Sequence, residues 1–240
     1  MLIKLFKFLL ILLFYQSPLY SKTKSLSEFN SRYLSNYFSG IVAYDNKDNS
    51  EALRFFQSSK PLIKKHNSYL KKYVYSLVLE GKVQQAANEI KRTSTESNSN
   101  FFEAHLVLSL DSLKKKNYRK SKEQLKESYK FINEDKFAII ITETLKQYLY
   151  VFEEKKISNS KTKFGNLSFI NETFQRCYLD DKNIETYFEN LINNKDNNRA
   201  KNANYSRYTF FYISHLIEND RYQEAKSITK DLKYLNSSLL

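Results

Sequence analysis

Apolar residues recur along this chain at intervals of three and four, in short runs separated by polar breaks. That spacing puts them on one face of a helix. The first run, about residues 27–46, carries Tyr33, Tyr37, Ile41 and Tyr44. Residues Asn46 to Asn49 break it, and a second run follows with Ala52, Leu53, Phe55 and Phe56, punctuated by Pro61. The same alternation predicts helices over about 64–80 and 83–92, then 101–116 and 118–131. Residues 134–156 read as one long helix with Phe137, Ile140, Ile141, Leu145, Tyr148, Leu149 and Phe152 on its apolar side. Further helices are expected over 164–179, 184–192, 205–218 and 222–235. Gly40, inside the first run, costs about 1 kcal/mol of helix propensity relative to Ala. Close packing against the next helix is therefore expected there. Gly81 stands where a helix C-cap takes the left-handed conformation.

The pattern repeats. Tyr37 to Phe56 and Tyr73 to Ile90 are each an amphipathic run, a polar break and a second run holding a small residue. From Ala52 to Ala86 is 34 residues, from Ala86 to Ser121 is 35, and Ser121 to Ala225 is 104, or about three more such steps. Gly81-Lys82-Val83-Gln84-Gln85-Ala86 carries a Gly-x-bulky-x-x-Ala turn. Asn117-Tyr118-Arg119-Lys120-Ser121 is a weaker version, and Asn219 to Ala225, with Tyr222, is a better one. These units resemble tetratricopeptide repeats, whose length is about 34 residues. They lack the family's tryptophan and, apart from Pro61, its inter-repeat proline. The order of export signal, Tyr37-Phe38-Ser39-Gly40 and repeats also resembles exported repeat proteins of alphaproteobacteria.

The resemblance implies an all-α, right-handed solenoid of about five to six helical hairpins. The clearest units are 33–66, 67–101, 102–135 and 206–239, with 136–205 degenerate, so that 27–240 forms one repeat domain. Gly40, Ala52, Gly81, Ala86, Tyr118, Ser121, Tyr222 and Ala225 would be its structural positions. In such stacks the first helix of each pair lines the concave face. That places Tyr37, Ile41, Tyr44, Lys71, Tyr75, Val78, Leu106, Leu110, Leu113, Phe210 and Ile217 in a groove. Tyr37, Tyr44, Lys71, Tyr75 and Phe210 are the foremost candidates for gripping a protein or peptide. Some family members clamp a peptide's terminal carboxylate with Lys and Asn. Lys71 fits one such place, but Tyr75 stands where the next Asn belongs, which argues against that clamp.

Composition agrees with helices. There are 3 Gly and 2 Pro, too few for a sheet with many tight turns, while 19 Tyr and 18 Phe supply the bulk in the absence of Trp. Residues 1–21 read as a signal peptide: Lys4 and Lys7 precede or interrupt an apolar stretch from Leu5 to Tyr15, and Gln16, Ser17 and Pro18 end it. The apolar core falls short of the roughly 20 residues a membrane span needs. Residues 22–26 are a polar linker. Export without a disulfide suits a bacterial periplasm, or the membrane surface if the signal stays attached. Beyond that segment no transmembrane span is expected. No polar-faced capping helix is visible near the C-terminus, so a partner, a self-contact or further chain is expected there.

The net charge of +13 admits an anionic membrane or cell-wall polymer as an alternative partner. Its basic residues are mostly isolated or paired, which does not favour nucleic acid. Chemistry is scarce. His66, His105 and His215 lie in separate units, and Cys177, the one cysteine, sits in a helical stretch as a packing thiol. Glu153-Glu154 ends a helix. There is no phosphate loop, no nucleophile elbow and no zinc motif. The expectation is a non-enzymatic interaction scaffold or adaptor of the bacterial envelope, with no cofactor and no metal.

Overall fold

The computed structural model describes residues 30–94, 99–133, 135–159, 164–193 and 208–230. The expected signal segment, the linker, the 194–207 connection and the end of the last helix lie outside these. Among the described residues there are eleven α-helices and no strand, so the described part of the chain is all-helical. It divides into two compact units, residues 1–82 and 83–240. The division falls inside the expected repeat unit 67–101.

The first unit holds α1 (Ser31–Asp45), α2 (Asn49–Ser58), a 3-10 turn (Lys60–Lys64) and α3 (Tyr69–Leu79). Asn30 and Asp48 begin α1 and α2 by accepting backbone N–H bonds from Arg32 and Glu51 at 2.9 and 3.1 Å, the usual service of an N-cap side chain. Pro61 sits in the first turn of the 3-10 segment, which buries Leu62 and Ile63. As a result α3 starts at Tyr69 instead of about 64. The core is aromatic. Phe56, Tyr69 and Tyr73 are fully buried, and the Tyr69 hydroxyl donates to the Phe56 carbonyl. Gly40 is there because a Cβ in its place would lie 2.9 to 3.2 Å from the Phe56 ring. The helix-propensity cost of the glycine is the condition for that approach of α1 to α2.

The second unit holds α4 (Val83–Arg92), α5 (Phe102–Lys114), α6 (Tyr118–Ser128), α7 (Lys136–Glu154), α8 (Asn166–Tyr178), α9 (Ile184–Asn193), α10 (Thr209–Glu218) and α11 (Tyr222–Lys230). Asn117 caps α6 and Asp135 caps α7 through side-chain oxygens. Ala86, Ala104 and Ser121 are fully buried where helices meet. Asp111 on α5 is nearly buried and receives ion pairs from Lys91 on α4 and from Lys115 at 2.8 Å. Towards the C-terminus, Phe188, Tyr212, Leu216, Ile184 and Ala225 form a core against which Cys177 packs. Burial pushes the Cys177 thiol up, away from the thiolate a nucleophile needs.

Five helices end in one and the same turn. Lys47, Gly81, Lys116, Asp180 and Asp220 all have positive φ, between 51 and 70°. In each case the next residue's N–H reaches back five residues: Asp48 to Ala43, Lys82 to Leu77, Asn117 to Ser112, Asp181 to Arg176 and Arg221 to Leu216. This is the Schellman arrangement. Gly81 meets the expectation of a left-handed cap. At the other four turns the sequence offers Lys or Asp, and the conformation recurs without glycine.

Candidate functional site

The site lies in the second unit, where one face of α6 meets one face of α7. On α6 the buried residues Ser121, Leu125 and Ser128 point inward, and Lys122 and Lys126 flank Leu125 at helical spacing. On α7, Glu143, Lys146, Gln147 and Tyr150 follow at steps of three and four, a stripe that runs one way along the helix. The two stripes enclose a cavity of about 800 Å3. Tyr129 closes one side, and Ser158 and Asn159, just past α7, close another. Leu125 and Leu149 form its apolar lining. The size lies within the roughly 300–1,000 Å3 typical of ligand clefts.

The walls are held by hydrogen bonds. The Tyr129 hydroxyl donates to Glu143 Oε1 at 2.6 Å. Burial first, and the Glu143 hydrogen bond second, push the Tyr129 phenol well up, so it stays a donor. Lys146 Nζ lies 3.6 Å from Glu143, and Lys122 pairs with Glu153. Gln175 on α8, almost fully buried, binds two wall residues at once. Its amide nitrogen is 3.4 Å from Gln147 Oε1, and its oxygen accepts the Ser158 N–H at 3.1 Å. Gln147 itself is only 9% exposed. Polar side chains therefore fix the geometry of an otherwise apolar hollow. Beside it, Asn171 donates to Thr144 Oγ1 at 3.2 Å, so two polar side-chain pairs cross between α7 and α8.

The lining joins three lysines, one glutamate, two tyrosines, two amides, a serine and two leucines. It contains no histidine or cysteine among the described residues. Such a set can bind by charge, hydrogen bonding and apolar contact. Among the described residues no cluster of three or more His, Cys, Asp or Glu is placed to hold a metal ion, and no helix is long and apolar enough to cross a membrane.

The residues singled out in the sequence lie elsewhere. Tyr37 is 2% exposed, packed against Phe56, Tyr69 and the His66 ring, which is 4.5 Å away. This corrects its assignment to a groove, which rested on the repeat register: the ring is core, and burial raises its pKa. Tyr44 and Tyr75 are half-buried, with Lys72 over the Tyr44 ring at 4.7 Å and Lys71 over the Tyr75 ring at 5.5 Å. Phe210, on the second unit, is 67% exposed and stacks edge-on to Phe211. Leu110, Val78 and Ile217 are exposed, while Ile41, Leu106 and Leu113 are half-buried. Of the structural positions, Gly40, Ala52, Ala86, Ser121 and Ala225 are buried, Tyr118 is half-buried, and Gly81 and Tyr222 are exposed. On α7, Phe137 is 70% exposed, against its placement on the apolar side. Each histidine has its own local partners: His105, for example, contacts Gln124 and Asn100 and stacks on Phe131.

The first unit has a second, shallower hollow of about 650 Å3. Phe38 and Val42 are exposed in it. Its two carboxylates are committed, Asp48 as the cap of α2 and Glu51 to Arg54. The cavity of the second unit was not read from the sequence. The only signal for it was the polar-aromatic stripe of α7, which gains meaning once α6 is known to face it. Compared with family models, curated proteins and solved structures, the chain has no match in any of the three.

Proposed function

We propose that this protein is a non-enzymatic, tetratricopeptide-like scaffold of the bacterial envelope that binds a peptide segment of another protein. The observation that carries the reading is the cavity between α6 and α7: apolar inside, ringed by convergent polar groups and held in shape by Gln175. Binding sites of that make are the default for concave, mixed linings. The recurring helix-ending turns support the repeat part of the reading, since they fall 34 and 35 residues apart at Lys47, Gly81 and Lys116. Export rests on the sequence of residues 1–21. Because Tyr37 is core, the first-helix groove loses one of its foremost contacts, and the cavity takes its place as the preferred site.

Site-specific photo-cross-linking in the native cell tests this. A photoreactive residue at Tyr150 is expected to trap a discrete protein partner. The same residue at the exposed Gln57 is expected to trap none. Cross-links from a probe at Tyr44 but not from Tyr150 would return the site to the first-helix face. N-terminal sequencing of the same material tests export: the mature chain is expected to begin after Tyr20 or Ser21.

A further inference from the structure

Resting on that reading, we propose that the occupant of the cavity is an acidic peptide segment bearing one bulky apolar side chain. Charge is the first argument. Lys122, Lys126 and Lys146 line the cavity with one carboxylate, Glu143, and a second carboxylate, Glu153, pairs with Lys122. Glu143 is already engaged: Tyr129 donates to it at 2.6 Å and Lys146 stands 3.6 Å away. With Glu143 and Glu153 each held by a lysine, Lys126 is left as the excess positive charge, and the local field favours an anion. The second argument is the interior. Tyr129 and Tyr150, 41% and 43% exposed, offer ring surface, backed by the buried Leu125 and Leu149. A small inorganic anion would leave that surface wet, whereas a segment with an apolar anchor covers it while its acidic neighbours meet the lysines. The third is hydrogen bonding. Gln147 and Asn159 bring amide groups to the wall, suited to peptide N–H and C=O groups. Internal acidic side chains are recognised here, on the face of α6 and α7.

The test uses the full chain after signal removal and three labelled short peptides, read by fluorescence anisotropy. One has a central Phe flanked by Glu, the second has Gln in place of Glu, and the third has Lys. The acidic peptide is expected to bind about tenfold more tightly than the neutral one, and the basic peptide not measurably. Raising salt should erase most of that difference. Lys126→Gln with Lys146→Gln should weaken the acidic peptide about fivefold and leave the neutral one within about twofold, as a few modest charge contacts predict. Tyr150→Ala should weaken both. All three positions are exposed, so circular dichroism should be unchanged.

Equal binding of acidic and neutral peptides, lowered by Tyr150→Ala, overturns the acidic class while leaving the peptide site in place. If no peptide binds, or none responds to Tyr150→Ala, the cavity is not a peptide site and both readings fall. Vesicles rich in phosphatidylglycerol that bind independently of Tyr150, and exclude the acidic peptide, identify an anionic membrane as the partner instead.

Discussion

Ser109 on α5 and Ser121 on α6 hold their helices together by exchanging hydrogen bonds. Each hydroxyl donates to the other's carbonyl, at 2.9 and 2.8 Å, and both side chains are fully buried. The pair stands where two alanine-sized residues would otherwise meet. Each single Ser→Ala change is expected to cost about 1 kcal/mol. The double change should cost less than their sum, by about 0.5–1 kcal/mol, because the two hydroxyls lie 2.9 Å apart and share one site. Urea denaturation of the four proteins measures this. Strict additivity would mean that the hydroxyls act independently.

Gly40→Ala pits helix propensity against packing. The alanine gains about 1 kcal/mol in the helix. Its Cβ, however, would sit 2.9 Å from the buried Phe56 ring, and overpacking of that kind costs about 1–3 kcal/mol. Net destabilisation of about 1 kcal/mol is expected. Phe56→Leu in the same chain should relieve part of it, since the contacted ring atoms are removed. A thermal melt in which Gly40→Ala alone raises Tm would show that the ring yields.

Acid should loosen the α4–α5 contact. Burial alone would raise the Asp111 carboxyl, but hydrogen bonds and charge from Lys115 and Lys91 outweigh it and hold the group below its ordinary 3.8. A depressed carboxylate contributes stability that is complete above the unfolded value and is lost as pH falls through the lower folded value. Asp111→Asn is expected to cost about 1–2 kcal/mol at neutral pH. The gap between wild type and variant should narrow as pH falls below the ordinary 3.8. A gap that stays constant with pH would show that the ion pairs add nothing.

The recurring turns offer a stabilising change. Lys116 has φ of 57° and Lys47 has 65°, a region that costs a side-chain-bearing residue about 1–2 kcal/mol. Glycine avoids that cost but brings more freedom to the unfolded chain. Lys116→Gly is expected to gain about 0.5–1 kcal/mol, and Gly81→Ala to lose about 1 kcal/mol. Paired thermal melts decide it. A loss on Lys116→Gly would mean that the lysine side chain stabilises its turn by more than the strain.

Much of the fold could be read from spacing, because amphipathic periodicity and turn chemistry act locally. Helix α4 was legible at both ends, over Val83–Arg92, since Gly81 breaks the chain just before it. The start of α3 was not, because Pro61 supports a 3-10 turn that buries Leu62 and Ile63 and delays the next helix to Tyr69. Tyr37 misled for a related reason. The repeat register places it on the first-helix face but does not say what packs there, and Phe56, Tyr69 and His66 are brought to the ring by tertiary packing. The cavity was the least legible feature. Lys122 and Tyr150 are far apart in sequence, and no motif encodes which face of α6 meets α7.

The five recurring turns bear on how the chain acquires its shape. Each is closed by hydrogen bonds that reach back no more than five residues, so each can form before any distant part of the chain has been found. Low contact order of this kind goes with folding in microseconds to milliseconds. It also means that α1–α2, α5–α6, α8–α9 and α10–α11 are separate opportunities for nucleation, and separate places for local opening. A chain that is released from one end gains from that arrangement: each pair can close as soon as its own few residues are free.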